Sequence, residues 1–275
     1  MYAAIRPAAR ILPVLLLAAA CAKTPTSPSA VDRGPLISQA PLVSLIPQEP
    51  PPVPPRDAVA PPAALGANRF VAFGDSITYG TLSSFDGLFV YDVPAQSYPV
   101  RLRLALNTYH APQTFTVVNA GVPGEGALEG ARRIQSVITE NHPQGLLLLE
   151  GINDLANIQS VATTATQLAR IIDVARQNNV TVLVATMPQT YEVTFPNGEF
   201  RDNAALLVPQ YNAEVQRIAS SRLNVYVVDL YRAFGTRRDL IGGDGLHPTE
   251  AGYQLMATTF LSSIEAVFPV RGSFQ

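Results

Sequence analysis

From residue 68 onward, short and almost wholly apolar runs alternate with longer segments of mixed polar and apolar positions. The runs 69–73 (RFVAF), 115–119 (FTVVN), 145–150 (GLLLLE), 181–186 (TVLVAT) and 225–230 (VYVVDL) predict five strands. The segments 97–109, 126–141, 160–178, 203–221 and 248–268 predict helices, with Pro209 marking a kink in the fourth and Pro248 at a first-turn position of the last. The third run is apolar throughout, as in a strand covered on both faces. Regular alternation of strand and helix implies an α/β domain with a parallel sheet and helices on both faces. Its crossovers are right-handed, and ligands bind beyond the C-terminal ends of the strands. No internal repeat is present.

Upstream of this pattern the texture is different. Residues 1–10 carry Arg6 and Arg10 and no acid, and residues 11–20 are apolar residues and proline without interruption. A basic start, a short apolar stretch and small residues at its end make a secretory signal; the stretch is too short for the ~20 residues of a membrane-spanning helix. Cys21, the only cysteine, follows Ala18-Ala19-Ala20 directly, which resembles a bacterial lipobox with Ala18 where leucine is usual. The expectation is lipidation at Cys21, with two acyl chains giving the two anchors that stable membrane attachment requires. An ordinary cleaved signal is the alternative. Residues 22–66 hold twelve of the 24 prolines. Proline fixes φ and removes amide donors, so this stretch reads as a disordered, semi-rigid tether, leaving residues 67–275 as the domain.

Composition narrows the function. Nineteen basic against 21 acidic residues give a net charge of −2, with no basic stripe, so a nucleic-acid partner is not expected. A single cysteine excludes an intrachain disulfide and a cysteine-built zinc site. The three histidines, His110, His142 and His247, show no HxH or HExxH spacing, and no metal is expected. His110 and His142 fall near the starts of strands, the wrong edge for chemistry.

The residues after the strands are the informative ones. They are Gly74-Asp75-Ser76-Ile77, Asn119-Ala120-Gly121, Gly151-Ile152-Asn153-Asp154 and, before the last helix, Asp244-Gly245-Leu246-His247-Pro248. Acyl transfer needs these parts: a serine hydroxyl, a histidine to take its proton, a carboxylate to orient the histidine, and donors for an oxyanion. Taken singly each motif has a plain structural explanation, a turn or a helix cap. All four fall on one edge of the inferred sheet, in order.

In these four segments the chain resembles the SGNH (GDSL-type) hydrolase family, over residues 69 to about 268. The resemblance implies a flavodoxin-like three-layer α/β/α sandwich with a five-stranded parallel sheet and no cofactor. It implies Ser76 as nucleophile, His247 as base and Asp244 as its orienting acid. It further implies an oxyanion hole built from the N–H groups of Ser76 and Gly121 and the side chain of Asn153.

Other readings compete. Gly124, Gly126 and Gly130 form a GxGxxxG run opening a helix, with Glu150 twenty residues on, close to a dinucleotide fingerprint. That reading leaves the serine, asparagine and histidine segments unexplained. No GxSxG elbow of an α/β-hydrolase occurs. A non-enzymatic envelope protein that binds a glycan would not need nucleophile, base and oxyanion donors together. For substrate, residues 81–96 (with Phe85, Leu88, Phe89, Val90 and Tyr91) and 187–202 (with Tyr191, Phe195 and Phe200) could form an apolar wall or lid. The expectation is therefore a serine esterase of acyl esters, with a carbohydrate O-acetylesterase as the alternative, in the bacterial cell envelope.

Overall fold

The computed structural model describes residues 64–157 and 159–269. The signal-like segment, Cys21 and nearly all of the tether lie outside the described residues.

The chain forms β1 (Arg69–Gly74), α1 (Ser76–Tyr79), the hairpin β2 (Thr81–Ser83) and β3 (Val90–Asp92), α2 (Tyr98–Tyr109), β4 (Thr116–Gly121), α3 (Ala127–Asn141), β5 (Gly145–Leu149), α4 (Ile152–Ala156) and α5 (Val161–Gln177). There follow β6 (Thr181–Ala185), the hairpin β7 (Val193–Thr194) and β8 (Phe200–Arg201), α6 (Val208–Ser220), β9 (Val225–Val228), α7 (Leu230–Phe234) and α8 (Glu250–Val267). The main sheet has five strands in the order β4-β1-β5-β6-β9, and all of its pairings are parallel. By rank along the chain that is 2-1-3-4-5, the flavodoxin-like order, whose switch point lies beside the first strand.

Helices α2 and α8 pack together on one face, and α3, α5 and α6 on the other. Burial explains the apolar runs: every residue of β5 is buried, as is β1 beyond Arg69. Tyr98 of α2 and Phe260 of α8 stack with ring centroids 5.0 Å apart, binding one helical layer to itself. On the other face, a Cβ at Gly130 would stand 3.2 Å from Phe73 and 3.3 Å from Ile171. The glycine lets α3 lie close to the sheet, which accounts for part of the GxGxxxG run without a nucleotide.

The five predicted strands and five predicted long helices are all present, with three corrections. The fourth long helix begins at Val208, because Asn203 and Ala204 take positive φ, and Pro209 lies in its first turn without kinking it. The last helix is capped by Thr249, whose hydroxyl accepts the Gly252 N–H, so Pro248 precedes the helix and bridges to Ile241. Leu65 and Gly66, assigned to the tether by composition, belong to the body: Leu65 is buried and Gly66 N–H donates to Phe268 O at 2.8 Å. Both histidines set aside by position sit at helix C-termini, His110 after α2 and His142 after α3. His110 is buried with Nε2 3.1 Å from Glu265.

Candidate active site

The site begins where β1 ends. A Cβ at Gly74 would stand 1.9 Å from Leu149 O, so only glycine lets β1 run this close to β5 before the chain turns. The Asp75 carboxylate accepts the Ile77 N–H at 2.8 Å and caps α1, making Ser76 its first residue. Ser76 Oγ lies 3.0 Å from His247 Nε2.

His247 comes from the loop before α8. Asp244 Oδ2 lies 2.5 Å from His247 Nδ1, and Oδ1 accepts the N–H groups of Leu246 and His247, each at 3.1 Å. Burial alone would raise the Asp244 carboxyl; the ring hydrogen bond and charge of His247 and the two backbone donors outweigh it and hold it below the usual carboxylate range. An ionised Asp244 only accepts, so the Nδ1 proton faces it and the Nε2 lone pair faces Ser76.

Both inserted segments brace this loop. Asn203 donates to Asp244 O at 2.7 Å and to Tyr191 O at 2.9 Å, while Tyr191 N–H donates to Gly245 O at 2.8 Å. Ser83 Oγ accepts the Asp244 N–H at 3.4 Å. The apolar residues expected to form a wall or lid divide between surface and interior. Phe85, Leu88, Phe89, Val90 and Tyr91 are all exposed, Phe195 is buried beneath the Arg201 guanidinium, and Phe200 is exposed. The segments act on the site through backbone and polar contacts, a role that apolar content could not reveal.

Among the donors, Ser76 N–H opens α1, where a helix offers no internal acceptor. Asn153 is the second residue of α4, inside the helix and not its cap, and its Nδ2 donates to Glu125 O at 2.8 Å. A primary amide has two N–H groups, so one remains for a ligand. Gly121, expected as the third donor, has its N–H engaged within the protein. Its N–H donates to the Asn119 side chain at 3.0 Å, and a Cβ there would fall 2.3 Å from Tyr79 N. Its glycine is explained by the close approach of α1 to β4. Three residues on, Gly124 has φ +78° and open space where a Cβ would be, and its N–H meets no acceptor among the described residues. The glycine run that suggested a nucleotide site contained this signal.

Buried acids lie close to the nucleophile. Burial raises the Asp75 carboxyl to about 7; the Ile77 N–H and the His247 charge oppose that rise, and the charges of Glu125 and Asp154 add to it. Glu150, at the end of β5, is raised well above its usual range by burial and by Asp75, Glu125 and Asp154. One oxygen of Asp75 and one of Glu150 have no hydrogen-bond partner among the described residues. No group of three or more His, Cys, Asp and Glu among the described residues is arranged to hold a metal ion.

Known proteins resemble this chain in sequence and in fold. The chain is similar to a multidomain esterase of Ruminococcus flavefaciens, 24% identical over a 231-residue alignment that covers 74% of this chain and 29% of that one. It thus spans under a third of that relative. The structure superposes on the native aryl esterase of M. smegmatis with a TM-score of 0.63 and 19% identity, over 73% of this chain and 100% of the other. It matches a carbohydrate acetylesterase of Sinorhizobium meliloti with a TM-score of 0.63 and 15% identity, again over 73% and 100%. At these identities the superpositions establish the shared fold. Residues 72–255 match the model of the GDSL-like lipase/acylhydrolase family. That match covers most of the chain and the whole of the site, so the chain belongs to the GDSL-like (SGNH) family of ester hydrolases.

Proposed function

We propose that this protein is a serine esterase that cleaves carboxylic esters through an acyl-enzyme, using Ser76, His247 and Asp244. The observation that carries this is the continuous relay from Ser76 Oγ to His247 Nε2, 3.0 Å, and from His247 Nδ1 to Asp244 Oδ2, 2.5 Å. His247 takes the serine proton as Oγ attacks the ester carbonyl, and Asp244 stabilises the imidazolium. The tetrahedral oxyanion is held by the N–H groups of Ser76 and Gly124 and the second amide hydrogen of Asn153. Collapse breaks the bond to the alcohol, which leaves with the proton from His247. Water then attacks the acyl-serine with His247 as base, releasing the acid and restoring Ser76. No step draws on a cofactor.

A carbohydrate O-acetylesterase is the second reading. A groove of about 540 Å³ beside the Asp244 loop is lined by Ser83, Ser84, Phe85, Arg238, Asp239, Ile241 and Thr249, and its surface is more apolar than polar. The Sinorhizobium meliloti neighbour named as a carbohydrate acetylesterase supports the second reading. We also propose that the domain works in the bacterial envelope, tethered through lipid on Cys21; mass spectrometry of the N-terminal peptide tests this, and an unlipidated Cys21 overturns it. For activity, the test is a chain-length series of p-nitrophenyl esters run beside an acetylated polysaccharide. Preference for acetyl with release of acetate from the polysaccharide supports the carbohydrate reading. Rates that rise with acyl length point to lipid-like esters, and inertness on all of them overturns the esterase.

A further inference from the structure

The mechanism leaves one buried ion pair without a task. Arg133, on α3, donates from Nε to Glu125 Oε1 at 2.5 Å and from Nη2 to Glu125 Oε2. The Glu125 side chain is 4% exposed and that of Arg133 is 23% exposed. The same Nη2 donates to Ala120 O at 2.8 Å, with Gly74 O at 3.4 Å, and the guanidinium carbon lies 3.9 Å from the centre of the Phe73 ring. One guanidinium therefore touches the ends of β1 and β4 and the turn that follows β4.

That turn is 122–126, and both of its ends are tied. Val122 N–H donates to Gly74 O at 2.9 Å, and Asp154 accepts the Ala127 N–H at 2.7 Å. In its middle are Gly124, whose N–H meets no acceptor among the described residues, and Glu125, whose carbonyl receives the Asn153 amide at 2.8 Å. A planar, bidentate guanidinium fixes both position and orientation of a carboxylate, which an ammonium cannot do.

We propose that Arg133 is a positioning residue for the Asn153 oxyanion donor: by clamping Glu125 to the ends of β1 and β4, it fixes the carbonyl against which the Asn153 amide is held. This rests on the reading of Asn153 as an oxyanion donor. A donor displaced by an ångström stabilises the transition state less and leaves ground-state binding nearly unchanged, so the effect falls on turnover.

The test uses p-nitrophenyl acetate and four variants: Arg133→Lys, the charge-neutral pair Glu125→Gln/Arg133→Met, Asn153→Ala, and Arg133→Lys combined with Asn153→Ala. Arg133→Lys keeps a cation beside buried Glu125 and preserves the fold should the neutral pair not do so. The proposal predicts that Arg133→Lys lowers kcat about tenfold, a fraction of the ~10²–10³ lost with a whole donor, with KM nearly unchanged. In the Asn153→Ala background the same change costs less than about threefold, because the two residues act through one group. A lower melting temperature with kcat unchanged overturns the proposal, as does an equal loss in both backgrounds. If Asn153→Ala itself leaves kcat intact, the oxyanion reading fails and this proposal falls with it. If Asn153→Ala is slow and Arg133→Lys is not, the oxyanion reading stands and only the role of Arg133 is lost.

Discussion

Asp244 holds His247 twice: one carboxylate oxygen receives the ring Nδ1–H at 2.5 Å, and the other receives the histidine's own backbone N–H at 3.1 Å. The acid that sets the tautomer thus also sets the loop from which the ring projects. In Asp244→Asn the side-chain oxygen can still accept the backbone donors, which turns the amide NH₂ toward Nδ1. The imidazole must then carry its proton on Nε2 and cannot take one from Ser76. We expect kcat to fall on the order of 10⁴-fold, as in the general serine triad, with KM and melting temperature little changed. Steady-state kinetics and a thermal melt on one preparation check this. A variant that remains active would remove Asp244 from the relay.

Asn153→Ala removes an oxyanion donor together with the amide that meets Glu125 O. The expected loss is ~10²–10³ in kcat with little change in KM. Because Asn153 lies inside α4, there is no capping bond to lose, and the melting temperature should fall by no more than one hydrogen bond's worth, about 1 kcal/mol. Unchanged kcat with a lower melting temperature would make the residue purely structural.

Much of this was readable beforehand because the sheet imposes order on the chain. The buried strands had to be apolar throughout, and their C-terminal ends had to carry the chemistry, so Ser76, Asn153, Asp244 and His247 could be picked from position and type. What escaped depends on contacts distant in sequence. Tyr191 and Ser83 brace the Asp244 loop from insertions notable in sequence only for their aromatic residues. Gly121 and Gly124 look equally suitable as donors in one dimension. Only the Asn119 side chain, returning to Gly121 N–H, separates them.

That distinction has a direct test. Alanine at position 121 would collide with the backbone of Tyr79, and cost at least the ~1–3 kcal/mol typical of overpacking. Alanine at position 124 meets open space and suffers only the left-handed backbone, about 1–2 kcal/mol. Gly121→Ala should therefore lose more stability, whereas Gly124→Ala should lose more turnover than its melting temperature explains. Denaturant titrations paired with kcat measurements decide it; the opposite pattern would return the donor to Gly121.

Glu150 gives the fold a pH dependence of known sign. Its carboxyl is raised by burial first and then by Asp75, Glu125 and Asp154, so the folded protein keeps a proton that the unfolded chain releases near the ordinary ~4.3. The folded state then binds more protons, and this group's contribution to stability declines as pH rises above about 4. Asp75, raised to about 7, acts in the same direction and remains in the variant. Glu150→Gln cannot ionise, so it should lose less stability than the native protein between about pH 5 and pH 8. Parallel stability curves for the two proteins would contradict this.

The central claim is that Ser76 forms the acyl-enzyme, and covalent labelling tests it most directly. An organophosphonate ester should modify the native protein once, in the peptide containing Gly74-Asp75-Ser76, with activity lost in step with labelling. Ser76→Ala should fold, remain unlabelled and show no turnover. Label on another serine, or full activity in Ser76→Ala, would contradict the account.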